Sequence, residues 1–312
     1  MPSVKSRATI VAVRVTPTMS RKDTMTDRLF LPPPIGLLAG SLFLSVSLTA
    51  TCLAASPGES PWVKENFSKA RLVSGTVGGA ENGEFLAGVQ IRLEPGWKTY
   101  WRTPGDSGVP PSFDWSGSKN LKQAQVLYPA PHRFADASGT AIGYEDEVVF
   151  PVKITPVRPG EPVELKLSVD YGLCKTLCIP NQATLSLDLP PHMVGKGDDP
   201  LLSRFVDLVP KPAETGKLPA LGDIEAKLDS AKPEMIIAVN FPNGATGTDL
   251  FVEAPGGAFV PVPKPLGPVE GGKQRFLISF ASAAEAAAIK GKPLKLTLVS
   301  DEGAREASWS LD

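Results

Sequence analysis

Two cysteines four residues apart, Cys174 and Cys178 in DYGLCKTLCIPNQ (residues 170–182), are the residues whose type and spacing point most directly to chemistry. Such a pair can be a covalent brace, a clip for a soft metal or a working redox couple, and spacing alone leaves all three open. Four extended steps of about 3.3 Å would hold the two Cα atoms about 13 Å apart, whereas a disulfide needs less than about 7 Å. A bond therefore requires a turn, and Gly172 and Pro180 are suitable punctuation for strand, tight turn, strand. As a brace the bond would be weak. A loop of about five residues contributes about 2 kcal/mol by the chain-entropy estimate, against nearly 5 for a loop of about a hundred. Short, exposed loops suit thiol–disulfide exchange better, and Lys175 beside the pair favours the nucleophilic thiolate.

The meaning of a cysteine pair depends on its compartment, and the N-terminus speaks to that. From Met25, the expected start of translation, the chain reads MTDRLFLPPPIGLLAGSLFLSVSLTATCLAAS, with Arg28 as a short basic region, an apolar run over 35–53 and small residues at Ala54 and Ala55. This is the layout of a secretory signal peptide, so residues 1–54 are read as a signal segment whose cleavage near Ala54 removes Cys52. The competing reading is an uncleaved anchor, because nineteen mostly apolar residues could just span a bilayer. Thr51 and Thr49 fit a lipoprotein signal poorly. Without residues 1–54 the chain keeps 26 Lys/Arg against 31 Asp/Glu, a net charge of −5, which argues against nucleic-acid binding.

The elements that must position the cysteines read as β. In EFLAGVQIRLEP the apolar residues Phe85, Ala87, Val89, Ile91 and Leu93 alternate with polar Gln90, Arg92 and Glu94; VELKLSVDY and ATLSLDL repeat the period. Turns such as LEPGW, RTPGDSG and VRPGEP separate the runs, giving an all-β reading with a sandwich over 55–190. Pro and Gly crowd around one short helical candidate, Pro200 to Leu208, so 191–217 reads as a linker. Beyond it MIIAVNF, DLFVEA, RFLISF and LKLTLVS predict a second, smaller β domain over 218–312, with one helix in SAAEAAAIKG.

YGLCKTLCIPNQ, taken with GWKTYWRTPGDSG (96–108) and GYEDEVVFPVKI (143–154), resembles the N-terminal periplasmic domain of the thiol:disulfide interchange protein DsbD. It is closer still to the related suppressor-of-copper-sensitivity protein B, whose cysteines share this tighter spacing. The resemblance covers roughly 62–190. It implies an immunoglobulin-like sandwich whose Cys174 and Cys178 alternate between dithiol and disulfide, a protein-disulfide reductase component without a cofactor. The implied partners are periplasmic thioredoxin-like or disulfide-isomerase-like proteins. Family members continue into a membrane domain and a thioredoxin-like domain that this sequence does not contain, so a separate membrane electron donor is expected. The resemblance also sets Phe134 in HRFAD as an aromatic cap over the cysteines, with Tyr100 and Trp101 in the segment that lines the site.

Asp170 and Tyr171 precede Cys174 and are candidates for tuning its proton affinity, although strand alternation also accounts for them. Trp97 is read as a core or edge aromatic. His132 and His192 are the only histidines. His192 and Met193 would complete a soft Cu(I) set with Cys174 and Cys178, the alternative function being copper binding or copper tolerance; a sandwich with an ordinary structural disulfide is the other.

Overall fold

The computed structural model describes residues 58–75, 84–136, 139–191 and 199–310. The expected signal segment, Cys52, His192 and Met193 lie outside them.

The strands that build the first sandwich are β1 (Val63–Glu65), β2 (Ser68–Gly75), β3 (Phe85–Leu93), β4 (Lys98–Gly105), β5 (Ser112–Asp114), β6 (Leu121–Val126), β7 (His132–Asp136), β8 (Gly139–Glu145), β9 (Glu147–Pro156), β10 (Val163–Cys174) and β11 (Cys178–Leu189). One sheet has the order β1-β2-β3-β9-β6; the other has β11-β10-β4-β8-β7, with β5 pairing β10. Alternation decides what is inside: Val163, Leu165, Leu167, Val169, Tyr171 and Leu173 of β10 meet Val89, Ile91, Phe150 and Val152 from the facing sheet in one core. The alternating runs thus fold as predicted, into an immunoglobulin-like sandwich.

The outer face of β3 departs from the simple pattern. Gln90, expected at the surface, is fully buried and bonded to Arg71 and Glu147. The cause is α1 (Asp199–Asp207), whose Leu202 and Phe205 join the first core while Arg204 reaches Glu147 at 3.0 Å. The stretch read as a linker therefore contains a helix that packs on β2 and β9.

The second module comprises β12 (Lys211–Pro212), β13 (Ala220–Lys227), β14 (Glu234–Asn240), β15 (Asp249–Glu253), β16 (Lys264–Glu270), β17 (Lys273–Ser279), α2 (Ala283–Ala287), β18 (Pro293–Ser300) and β19 (Gly303–Ser310). Its sheets have the orders β12-β19-β18-β15 and β13-β14-β17-β16. Met235, Ile237, Leu250, Val252, Phe276, Ile278, Leu296 and Leu298 fill a core of their own. β15 faces two ways: Leu250 and Val252 point into this second core, while Phe251 between them joins the first.

Candidate functional site: a disulfide at the mouth of a hairpin

β10 and β11 pair without interruption from Val163↔Leu189 to Cys174↔Cys178. Lys175, Thr176 and Leu177 close the turn, and Cys174 and Cys178 form a disulfide with their Cα atoms 4.1 Å apart. On its other edge the end of β10 is bonded to β4, through Leu173↔Thr99 and Cys174↔Lys98. The Thr99 hydroxyl adds a bond to the Gly172 carbonyl at 2.9 Å.

Because odd positions of β10 fill the core, Cys174 lies on the outer face of its sheet. There it is 9% exposed, packed with Tyr100 of β4, Ala141 of β8 and the half-buried Phe134 of β7. Cys178 is exposed, and so is Leu177 at the tip of the turn. The two sulfurs are therefore unequal: one is open to a partner and the other is covered by aromatic rings. The Tyr100 hydroxyl stands 3.3 Å from Cys178 Sγ. Its ring lies against two glycines, since a Cβ on Gly172 would come within 2.9 Å of it and one on Gly108 within 2.3 Å. The glycines of YGLC and GDSG thus open the slot that brings the hydroxyl to the sulfur.

Residues 73–190 match the family model described as thiol:disulfide interchange protein DsbD, N-terminal. This segment belongs to the DsbD N-terminal family. Among solved structures, the N-terminal periplasmic domain of ScsB from Proteus mirabilis matches with a TM-score of 0.63 and 20% identity, covering 82% of this chain and 99% of that one. At that identity the likeness is one of fold, and a coverage of 82% extends it past the DsbD N-terminal segment into the second module. No curated protein matches the chain.

The structure gathers Cys174, Cys178, Tyr100 and Phe134 of the DsbD N-terminal segment at one place and sets the other candidates elsewhere. Tyr171 points into the core, where its hydroxyl bonds Ser68 at 2.8 Å and accepts from Asn181 at 3.1 Å. Burial raises its pKa, and these hydrogen bonds offset part of the rise. Asp170 lies four strand residues from Cys174, a span of about 13 Å, and accepts a hydrogen bond from Gln182. Trp101 is fully buried on the inner face and packs on Phe251 with ring centroids 5.6 Å apart. Trp97 stacks on Phe67 at 4.2 Å in the turn before β4. His132 is exposed on β7. Among the described residues no group of three or more His, Cys, Asp or Glu is placed to hold a metal.

Lys175, expected to favour the thiolate, donates instead to the Pro95 carbonyl at 3.1 Å. The cation that register sets across from Cys174 is Lys98, with its ammonium 4.6 Å from the centroid of the Phe134 ring and 3.6 Å from Glu145. Sequence reasoning passed over Lys98 because cross-strand neighbours have no fixed spacing along the chain. Its position two residues before Tyr100, on the same strand face, was the available signal.

Proposed function

We propose that this chain is a periplasmic thiol–disulfide exchange protein in which Cys178 is the sulfur that partners attack and Cys174 the one that leaves and resolves. The unequal exposure of the two sulfurs carries the reading. On reduction, a donor thiolate attacks Cys178 Sγ, the Cys174–Cys178 bond breaks, and Cys174 departs as a thiolate and takes up a proton. The donor's second thiolate then attacks the mixed disulfide, so the donor is oxidised and the pair reduced. In the opposite half-cycle the Cys178 thiolate attacks a partner's disulfide and Cys174 resolves the product. Exposed Leu177 and Val109 flank the opening and suit an apolar partner surface. The family match and the signal-like N-terminus support export, thioredoxin-like periplasmic partners and a separate membrane donor. No described helix is long and apolar enough to cross a membrane.

Trapping tests this. With Cys174→Ala, the remaining Cys178 should accumulate mixed disulfides with periplasmic thiol proteins; with Cys178→Ala, the covered Cys174 should accumulate few. No adduct from either variant, or adducts from Cys178→Ala alone, would overturn the assignment.

A further inference from the structure

The strands that carry Tyr100 and Phe134 on one face are held from behind by the second module. Neighbouring residues of a strand point to opposite faces, so while Phe134 packs into the cluster with Tyr100, Ala141 and Cys174, Arg133 points the other way. Its guanidinium makes a bidentate pair with Asp249, Nε to Oδ2 at 2.9 Å and Nη2 to Oδ1 at 2.5 Å. It also lies 5.7 Å from the centroid of the Phe251 ring. On β4, Trp101 follows Tyr100 and packs on Phe251. The next residue, Arg102, pairs with Glu253 through Nε and Nη2 and with Glu306, and Thr103 donates to Glu253 at 2.8 Å. Asp249, Phe251 and Glu253 alternate along β15, so a single strand face supplies all three contacts. Both arginines and their acidic partners are largely shielded from water, and bidentate pairing fixes orientation as well as distance.

We propose that this face of β15 positions the redox site, holding β7 so that Phe134 stays packed in the cluster with Cys174 and setting how readily that sulfur is reached. Among the described residues β7 is an edge strand, paired in its sheet with β8. From the second module it is held at this point by Arg133, through the pair with Asp249, a bond to the Leu250 carbonyl at 3.4 Å and the Phe251 ring. Asp249 and Arg133 act here as positioning residues; neither touches a sulfur. The proposal rests on Cys174–Cys178 being the exchange site, yet its test needs no protein partner.

The test is the rate at which iodoacetamide alkylates Cys174 in the full chain carrying Cys178→Ala, the reference for every variant here; the Cys174 thiolate forms the S–C bond and iodide leaves. Asp249→Asn keeps the shape and removes the charge. The expected result is alkylation about three- to tenfold faster, the range that coupling between contacting residues of about 0.7–1.4 kcal/mol allows. Phe134→Ala should accelerate similarly, and the double variant should be no faster than Phe134→Ala alone, because both changes uncover one sulfur. Asp249→Glu, which restores a carboxylate, should recover much of the parental rate. Should Asp249→Asn fail to fold, Arg133→Lys, which keeps the charge and loses the fork, takes its place in the same cycle. An unchanged rate, or an acceleration that adds fully to that of Phe134→Ala, would overturn the proposal. Failure of the unsubstituted chain to exchange with any periplasmic protein would count against the exchange reading and leave this result standing.

Discussion

Reducing the Cys174–Cys178 bond should cost the fold little. The bond closes a loop of five residues, and the chain-entropy estimate for a loop of that size is about 2 kcal/mol at 25 °C. Against this stand the inward side chains of the same hairpin, among them Leu165, Leu167, Leu173, Leu185 and Leu189, all buried. Each contributes about 1.5–3 kcal/mol on burial. The cysteine end of β10 is also held by β4 through Leu173↔Thr99 and by the Thr99 hydroxyl, neither of which depends on the sulfurs. For a protein of this size about 2 kcal/mol corresponds to a fall in Tm of about 4–8 °C.

Linkage supplies a second, independent number. If the bond stabilises the folded state by about 2 kcal/mol, folding stabilises the bond equally, which is about 40 mV for a two-electron couple. The potential of the folded pair should thus lie only about 40 mV below that of the same pair in the denatured chain, and above the value of about −300 mV below which structural disulfides resist glutathione. Calorimetry of oxidised and reduced protein, with redox titration in buffer and in denaturant, measures both quantities. A Tm fall beyond about 15 °C, which this size of protein equates with about 4 kcal/mol or more, would make the bond a brace. Loss of a cooperative transition on reduction would do the same.

Much of the fold is legible in the sequence because one periodicity governs it. The odd positions from Val163 to Tyr171 are inward in the structure as the alternation predicts, and the turn demanded by a Cys174–Cys178 bond is present. What periodicity cannot supply is the partner surface. Phe251 in DLFVEA reads as one more apolar strand residue, yet it enters the first core while Leu250 and Val252 enter the second. Gln90 reads as a solvated position, and only the return of α1 from about 110 residues later along the chain covers it. The same holds at the site. The cysteines announce themselves, and Tyr100 and Phe134 came from family resemblance. Lys98, Arg102 and Arg133 are visible only once the strands are in register, since each acts across strands or between modules.

Three further outcomes follow from the geometry. Tyr100→Phe removes the hydroxyl 3.3 Å from Cys178 Sγ; in the Cys174→Ala background the Cys178 thiol should titrate higher, because the thiolate loses a hydrogen bond, as read from the pH profile of alkylation. Glu147 has its carboxyl held below the ordinary range: burial acts in the opposite sense, but hydrogen bonds from Arg92 and Gln90 and the charge of Arg204 outweigh it. A carboxylate depressed by folding contributes stability that is present above its unfolded value, about 4.3, and is lost as pH falls through the lower folded value. Urea midpoints of the parent should therefore exceed those of Glu147→Gln at pH 6 and converge with them toward about pH 3. Lys98 is expected to favour the thiolate of Cys174. Register sets it across from Cys174, with Cβ atoms about 4.5–5.5 Å apart, and its charge is only partly answered by the half-exposed Glu145 at 3.6 Å. With its ammonium on the Phe134 ring, which packs in the same cluster as Cys174, the cation favours the thiolate, so Lys98→Met, which keeps the stem, should raise the Cys174 thiol in the Cys178→Ala background. The absolute alkylation rate is the wrong readout, because losing the ammonium over the Phe134 ring also loosens the cover and speeds access. The midpoint of the pH profile separates the two effects: access changes the plateau, charge moves the midpoint, and a midpoint that stays where the Cys178→Ala parent has it would refute an electrostatic role for Lys98.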